Sequence, residues 1–312
     1  MIDVRSVVKR YGDTTAVDDL SFTVQPGVVT GFLGPNGAGK STTMRMVVAL
    51  DRPTSGEVLV AGRDHRDSPA PLREVGALLE ARAVHPGRSA RNALLALAVT
   101  HGIPARRVDE VLDLVGLTDV ARQRAGSFSL GMGQRLGIAA ALLGDPAVVV
   151  LDEPVNGLDP DGVRWIRGLL RSLAEEGRTV LVSSHLMSEM AVTAEHLVVI
   201  GRGRLIADVS VAEFTARASA DRVLVRTSDP ARLATVLAAD GVEVAGGDGT
   251  SLTVRGLSAQ RIGDLAFRAG LPVHELTPQS ASLEEAFMAL TGDAVEHAGR
   301  ALAAVRTERG AA

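Results

Sequence analysis

The segment from Gly34 to Thr42 carries the clearest chemical pattern in the chain. It reads Gly34-Pro35-Asn36-Gly37-Ala38-Gly39-Lys40-Ser41-Thr42. The segment matches G-x-x-x-x-G-K-[ST] in full, and the alternative is a chance match in a glycine-rich turn. Glycines let backbone N–H groups turn inward around phosphates, the lysine adds a positive charge, and the serine hydroxyl can bind Mg²⁺. We therefore predict a phosphate-binding loop for a nucleotide.

Two adjacent acids, Asp152 and Glu153, follow a short apolar run at residues 148–151. The first carboxylate can hold Mg²⁺, and the second can act as a base that activates water. Taken alone, an acid pair at a strand end more often caps a helix or lies in a solvated turn. A phosphate loop in the same chain makes the catalytic interpretation the favoured one.

Two further side chains are candidates for nucleotide contacts. His185 follows another apolar run, at residues 179–183, and the carboxyl end of a buried strand is where open α/β sheets bind ligands. We predict that His185 contacts the γ-phosphate, although a histidine in this place is often only a satisfied polar residue. Tyr11, the single tyrosine, can stack on adenine or simply cover the sheet.

Composition limits the class of protein. A chain of 312 residues predicts one large domain and a smaller one, because single cores stop growing at roughly 250–300 residues. The absence of cysteine excludes disulfides and thiolate chemistry, and 3% aromatic content argues against a nucleic-acid partner. No apolar run approaches the roughly 18 residues of a membrane span, and the start lacks a signal-peptide pattern. We expect a cytoplasmic protein whose membrane role depends on a partner.

The elements that must position these residues form an α/β pattern. An apolar strand at 28–33, the glycine-rich turn and a helix at 41–50 give the context that a phosphate loop requires. Later apolar runs alternate with helical stretches, which is typical of buried parallel strands. Antiparallel strands are predicted at residues 2–8, 20–24 and 58–61, a helical subdomain at about 85–144, and parallel strands at 148–151, 179–183 and 197–200.

The remaining chain predicts a second, smaller domain. Residues 220–292 alternate strand, helix, two strands, helix, strand and helix, which indicates a compact α+β unit after a first domain at residues 1–219. The tail at residues 293–312 is rich in alanine, arginine and glutamate, and either a weak helix or a flexible segment is compatible with it.

In their chain order, Tyr11, the phosphate loop, Asp152-Glu153 and His185 resemble the ATP-binding subunit of ATP-binding cassette (ABC) transporters across about residues 1–215. Two segments strengthen this resemblance. The segment Ser129-Leu130-Gly131-Met132-Gly133-Gln134-Arg135 lies where the family carries its signature, Leu-Ser-Gly-Gly-Gln. Asn156-Gly157-Leu158-Asp159 is similar to the family's D-loop.

Three positions depart from the family's usual pattern. Leu130 replaces the first glycine of the signature and Met132 its glutamine, while Ser129 and Gly131 remain. Glu80 stands where most members have the Q-loop glutamine; its oxygens can still bind Mg²⁺ or orient water, but it cannot donate an amide hydrogen. These variants are similar to those of bacterial drug-resistance exporters, as is the segment Ser282–Phe287.

The resemblance implies a P-loop NTPase of ABC type, with a parallel core sheet, an antiparallel β subdomain, a helical subdomain and a C-terminal α+β domain. It implies ATP and Mg²⁺ as ligands, with Ser41, Asp152 and Glu80 at the metal and Glu153, His185 and Lys40 in catalysis. It further implies a second ATP-binding subunit whose Ser129, Gly131 and Asp159 complete the site. A separate transmembrane permease would hold the chain at the inner face of the membrane and export cargo.

Two alternatives remain open at this point. A soluble cassette ATPase could remodel ribosomes or DNA, although such families usually carry two cassettes or a long coiled coil, and this chain has one phosphate loop. A non-hydrolysing regulator is the other alternative, because the signature is altered and Glu80 is unusual. Co-purification with a permease, and phosphate release in the presence of that partner, would distinguish these possibilities.

Overall fold

The computed structural model describes residues 1–80, 84–218, 222–238, 242–246, 249–279 and 282–288, so the predicted tail at 293–312 lies outside the described residues. The chain divides into two units, Met1–Ser210 and Val211–Ala312. The second unit begins at Val211, whereas the sequence pattern predicts a second domain from residue 220.

Runs of β-branched residues form a six-stranded sheet at the centre of the first unit. Its strand order is β5-β6-β7-β3-β8-β9, with parallel neighbours except for the antiparallel pair β8 and β9. The inner strands are mostly apolar, which is typical of strands whose two faces are both covered. The strands are β3 Val29–Leu33, β5 Val75–Leu78, β6 Val148–Asp152, β7 Thr179–Ser183, β8 His196–Gly201 and β9 Arg204–Ser210.

A three-stranded antiparallel sheet covers one side of this core, in the order β2-β1-β4. One buried cluster joins the two sheets, and within it the rings of Phe22 and Phe32 lie 5.4 Å apart between centroids. The phosphate loop is thereby fixed at the edge of a rigid double layer. These strands are β1 Ile2–Tyr11, β2 Thr14–Val24 and β4 Ser55–Val60.

Helices complete the first unit, and serine or aspartate begins three of them by capping free backbone N–H groups. Ser89 accepts from the N–H of Asn92, Ser129 from that of Met132, and Asp159 from that of Gly162. The helices are α1 Lys40–Val47, α2 Pro71–Glu74, α3 Ala90–Thr100, α4 Ala105–Leu114, α5 Leu130–Leu142, α6 Pro160–Glu175 and α7 Met187–Thr193.

The second unit contains a four-stranded antiparallel sheet in the order β11-β12-β10-β13. Alternate residues of its strands, such as Val223, Val225, Leu252 and Val254, are buried in one core with residues of two helices. The elements are α8 Val211–Ala218, β10 Arg222–Thr227, α9 Pro230–Ala238, β11 Glu243–Gly246, β12 Ser251–Arg255, α10 Ala259–Arg268, β13 Val273–Pro278 and a last helix, α11, at 283–288.

The predicted fold class is confirmed: a mostly parallel core sheet, an antiparallel sheet, a helical segment and a separate α+β unit are all present. Two strands of the central sheet, β5 and β9, were not predicted. Strand β5 has only four residues, too few to show a period, and no strand was predicted at β9, which follows the glycine-containing turn at residues 201–203.

Candidate functional site

The phosphate loop joins β3 to α1, and its backbone lies very close to the backbone of β2 and β8. Gly39 has φ of 102°, and a Cβ atom there would lie 2.6 Å from the carbonyl oxygen of Ala16. A Cβ atom at Gly34 would lie 2.5 Å from the carbonyl oxygen of Ile200. Only glycine fits these two positions, so the loop curls tightly and presents N–H groups at the start of α1, where the helix dipole favours an anion.

Lys40 begins α1 and its side chain turns back into the loop. It is 9% exposed, and its Nζ donates hydrogen bonds to the carbonyl oxygens of Gly34 at 2.6 Å and Pro35 at 3.3 Å. Burial lowers the pKa of Lys40, while the charges of Glu153 and Asp152 act in the opposite direction. The ammonium group is held where phosphates would surround it.

Ser41 and Asp152 meet across the loop although they are far apart in sequence. The Ser41 hydroxyl donates to Oδ2 of Asp152 at 2.8 Å. The hydroxyl of Ser183, at the end of β7, donates to the other carboxylate oxygen, Oδ1. Asp152 is therefore fixed by a serine on each side, with hydroxyl and carboxylate oxygens of the kind that Mg²⁺ prefers.

Glu153 has an unusual backbone conformation, with φ of 51°. Its N–H donates to the Ser183 hydroxyl at 3.0 Å, and its carbonyl oxygen accepts from Nε2 of Gln134 at 3.0 Å. Its carboxylate oxygen Oε2 lies 2.7 Å from Nδ1 of His185. The predicted base and the predicted γ-phosphate contact are thus direct neighbours.

A cavity of about 280 Å³ opens between the phosphate loop and the end of β6. The structure brings most of the predicted phosphate and metal ligands to this one place, while His185 reaches it through Glu153. Its lining residues are Ala16, Asn36, Gly37, Gly39, Lys40, Ser41, Thr42, Asp152 and Glu153.

Tyr11 does not line this cavity, but hydrogen bonds connect it to α1, the helix that follows the phosphate loop. Tyr11 is 48% exposed and its hydroxyl donates to Oδ2 of Asp51 at 3.0 Å. The same carboxylate oxygen accepts from Nε of Arg45, in α1, at 2.8 Å. Burial raises the pKa of Tyr11, and the hydrogen bond to Asp51 adds to this. Nζ of Lys9 lies 4.8 Å from the ring centroid, so a cation accompanies the ring.

The remaining predicted residues lie outside the cavity lining. Glu80 is exposed just beyond β5, and its charge acts on Arg45 of α1. Ser129 and Asp159 cap α5 and α6, so each already has a structural role within the chain. A Cβ atom at Gly131 would lie 2.8 Å from the carbonyl oxygen of Gly157, which brings the start of α5 against the turn that follows Glu153.

Two residues that hold the acids were not predicted as site residues. Ser183 is the polar end of an apolar strand and lies two residues before His185, which was a usable signal. Gln134 is a buried amide on α5, and its partner is a backbone carbonyl that no sequence pattern identifies.

Comparison with known proteins gives two family matches. Residues 17–156 match the family described as ABC transporter. Residues 221–284, in the second unit, match a family described as a domain of unknown function.

Similar curated proteins are bacterial ATP-binding proteins. The chain is 36% identical over 299 residues to the uncharacterized ABC transporter ATP-binding protein YhcH of Bacillus subtilis (strain 168), covering 95% of this chain and 97% of that protein. It is 42% identical over 212 residues to the bacitracin transport ATP-binding protein of Bacillus licheniformis, covering 67% of this chain and 69% of that protein. It is 34% identical over 303 residues to a daunorubicin resistance ATP-binding protein of Streptomyces coeruleorubidus, with coverage of 94% and 96%.

Among solved structures, the chain is similar to a dimeric ATP-binding cassette in a post-hydrolysis state with bound ADP and Pi. The TM-score is 0.62 at 25% identity, and the match covers 68% of this chain and 99% of that one.

Proposed function

The chain belongs to the ABC transporter family as an ATP-hydrolysing subunit, and on this basis we propose that it drives a bacterial exporter through a separate permease chain. The observation that carries the proposal is the cavity in which Lys40, Ser41, Asp152 and Glu153 converge. The names of similar bacitracin and daunorubicin proteins support export of a small toxic compound. Among the described residues, no helix is long and apolar enough to cross a membrane.

ATP would lie with its phosphates in the loop and its adenine toward Tyr11. Lys40 offsets the charge that spreads over the phosphate oxygens in the transition state, and the backbone from Gly34 to Thr42 cradles the chain of phosphates. Tyr11 offers one ring face to adenine while Lys9 lies close to the ring. Glu80 is exposed just beyond β5, and its contact with Mg²⁺ or with the attacking water stays a prediction.

Mg²⁺ fits the donor set of Ser41 and Asp152. The described residues contain no cluster of three or more histidine or acidic side chains that could hold a metal by themselves. The ion would be held by the Ser41 hydroxyl and the Asp152 carboxylate together with the substrate's phosphates. When bound through Ser41 and Asp152, Mg²⁺ would supply positive charge that neutralises the phosphates.

Glu153 is the proposed base for the attacking water. Its carboxylate lines the cavity, and its hydrogen-bonding contact with Nδ1 of His185 fixes its direction. His185 then has its second ring nitrogen free to meet the γ-phosphate. Glu153 takes a proton from water, whose oxygen attacks the γ-phosphorus in line as the bond to the bridging β–γ oxygen breaks and ADP leaves. Lys40 offsets the negative charge that develops on the phosphate oxygens.

A second ATP-binding subunit would complete each site. Ser129 is exposed at the N-terminus of α5, where the backbone N–H groups and the helix dipole favour an anion. We propose that two copies close head to tail, so that Ser129 and Gly131 of one copy meet the phosphates bound by the other. Asp159 would lie at this contact, and the permease would hold the pair at the cytoplasmic face of the membrane.

The catalytic roles are tested with two variants, Lys40→Ala and Glu153→Gln, in a phosphate-release assay. We expect both to lose at least about a hundredfold in kcat, because each removes a group that acts on the transition state. Lys40→Ala should also weaken ATP binding, whereas Glu153→Gln should bind ATP normally. Wild-type rates in either purified variant would refute the assignment.

The transport role is tested separately by co-purification. A tagged chain recovered from membrane extracts should bring a polytopic permease with it. Recovery with ribosomes or DNA instead would exclude the transporter interpretation.

A further inference from the structure

A buried glutamine behind the acids has no role in the mechanism above. Gln134 lies in the second turn of α5 and is 2% exposed. Its Nε2 donates to the carbonyl oxygen of Glu153, while its Oε1 is buried and has no hydrogen-bond partner among the described residues. A buried acceptor without a partner destabilises a fold, so an apolar side chain of similar length would suit this position better for stability alone.

The partner of Gln134 is the residue whose conformation most needs support. Glu153 has φ of 51°, a left-handed conformation that side-chain-bearing residues rarely adopt. Its N–H is held by Ser183 and its carbonyl oxygen by Gln134 and by the N–H of Asn156. This conformation sets the direction of the Cα–Cβ bond, and through it the position of the carboxylate beside His185.

The same contact ties Glu153 to the signature helix. At its first turn, α5 packs on the turn after Glu153: a Cβ atom at Gly157 would lie 2.4 Å from Cδ2 of Leu130. At its second turn, α5 reaches Glu153 itself through Gln134. The helix capped by Ser129 and the turn that carries Glu153 are therefore in contact at two successive turns of α5.

We propose that Gln134 is a positioning residue for hydrolysis, which holds the left-handed backbone of Glu153 and couples that base to the signature helix of the same chain. The inference rests on the proposed role of Glu153 as the base. Ser129 faces the partner's ATP in the proposed dimer. The Gln134 amide is then the direct link between an ATP bound across the interface and the base of this chain's own site.

The experiment uses the full chain with Gln134→Met, which keeps the side-chain length and removes the amide. We expect kcat to fall roughly ten- to hundredfold, since small displacements of a catalytic group have effects of this size. The KM for ATP should stay within about twofold, because Gln134 does not line the phosphate cavity. The melting temperature should change little, because the lost bond to the Glu153 carbonyl is offset by removal of the unpartnered oxygen, and that carbonyl still accepts from the N–H of Asn156.

Two further variants sharpen the result. Gln134→Leu serves as a second apolar replacement, and Gln123→Met makes the same substitution at an exposed glutamine and should change nothing. In a Glu153→Gln background, Gln134→Met should cause no further loss, because both substitutions act on the same base.

The inference is overturned if Gln134→Met and Gln134→Leu both turn over ATP within twofold of wild type. It is also overturned if their activity falls only in proportion to a loss of folded protein, measured by melting temperature and ATP-binding stoichiometry. Failure of the underlying function would look different, since Glu153→Gln would then keep the wild-type rate.

Discussion

Lys40 is buried against two carbonyl oxygens, and this makes its protonation depend on what fills the loop. Burial lowers its pKa in the free protein. Bound phosphates favour the ammonium form and raise that pKa, so ATP binding takes up a proton above the lowered value. Affinity for ATP is then full below the pKa of the free protein and falls as pH rises through it.

We therefore expect the Kd for ATP to increase as pH is raised from neutrality toward the ordinary lysine value of 10.5, by at most about tenfold per pH unit. Calorimetry over this range measures the Kd. The dependence of the binding heat on the ionisation enthalpy of the buffer measures the number of protons taken up on binding. Lys40→Arg is the control, because its guanidinium stays charged throughout. The same increase in that variant would show that Lys40 is not the titrating group.

Among single residues, the sequence was most informative where a motif has a specific chemical role, as in the phosphate loop. Asn36, Gly37 and residues 39–42 of the loop line one cavity with Asp152 and Glu153. The supports of the acids were not predictable, because the contacts of Ser183 and Gln134 depend on tertiary packing. Glu153 in its left-handed conformation gives no sequence signal either, since left-handed positions are normally predicted from glycine or asparagine.

At the level of elements, the hairpin between β8 and β9 supports the phosphate loop. The N–H of Gly203, in its turn, donates to the carbonyl oxygen of Ala38 at 3.0 Å, and Gly203 accepts from the N–H of Asp18 at 2.9 Å. Gly203 has φ of 78°, and a Cβ atom there would lie 2.9 Å from both the carbonyl oxygen of Ala16 and Cα of Val17. The turn thus joins the loop to β2 through a position that only glycine fits.

Gly203→Ala should therefore weaken both folding and ATP binding. The left-handed conformation alone costs about 1–2 kcal/mol in a residue with a Cβ atom, and the backbone clash adds roughly 1–3 kcal/mol. Gly177→Ala is the matched control, because Gly177 has φ of 85° with nothing within 4 Å of the added Cβ. Denaturant unfolding should show a smaller loss in the free energy of unfolding for Gly177→Ala than for Gly203→Ala. Only Gly203→Ala should raise the Kd for ATP. Equal losses in both variants would refute a supporting role for this turn.

The same hairpin shows why some elements escaped prediction. Gly201, Arg202 and Gly203 resemble a linker in sequence, yet Arg202 and Gly203 both have positive φ and close a tight turn into β9. Strand β5 is short, and only its pairing with β6 makes it a strand. Helices α3, α4 and α5 lie within the helical subdomain predicted at about 85–144, because the glycine, proline and serine signals between helices are visible without any partner.

For the whole molecule, the ATPase apparatus and its family match both lie in the first unit. The ABC transporter family matches residues 17–156, and the second unit carries a separate family match at 221–284. Within the first unit, the phosphate cavity and the signature helix α5 belong to one chain, but Ser129 does not line that chain's own cavity. The proposed reaction thus requires a second copy, and this requirement can be tested by mixing two defective variants.

Lys40→Ala removes the loop's charge but leaves the signature intact. Ser129→Asp leaves the loop intact and keeps a good cap for α5, but it places a negative charge where the partner's γ-phosphate would lie. Neither homodimer then has an intact composite site, whereas a mixed dimer has one, formed by the loop of the Ser129→Asp copy and the signature of the Lys40→Ala copy. Equal mixing gives about half mixed dimers, so we expect recovery of about a quarter of wild-type sites.

Phosphate release that stays at the level of the separate variants after mixing, with both chains folded by melting temperature, would rule out the head-to-tail dimer. A Ser129→Asp homodimer with wild-type activity would do so as well, because each chain would then hydrolyse ATP without its partner's signature.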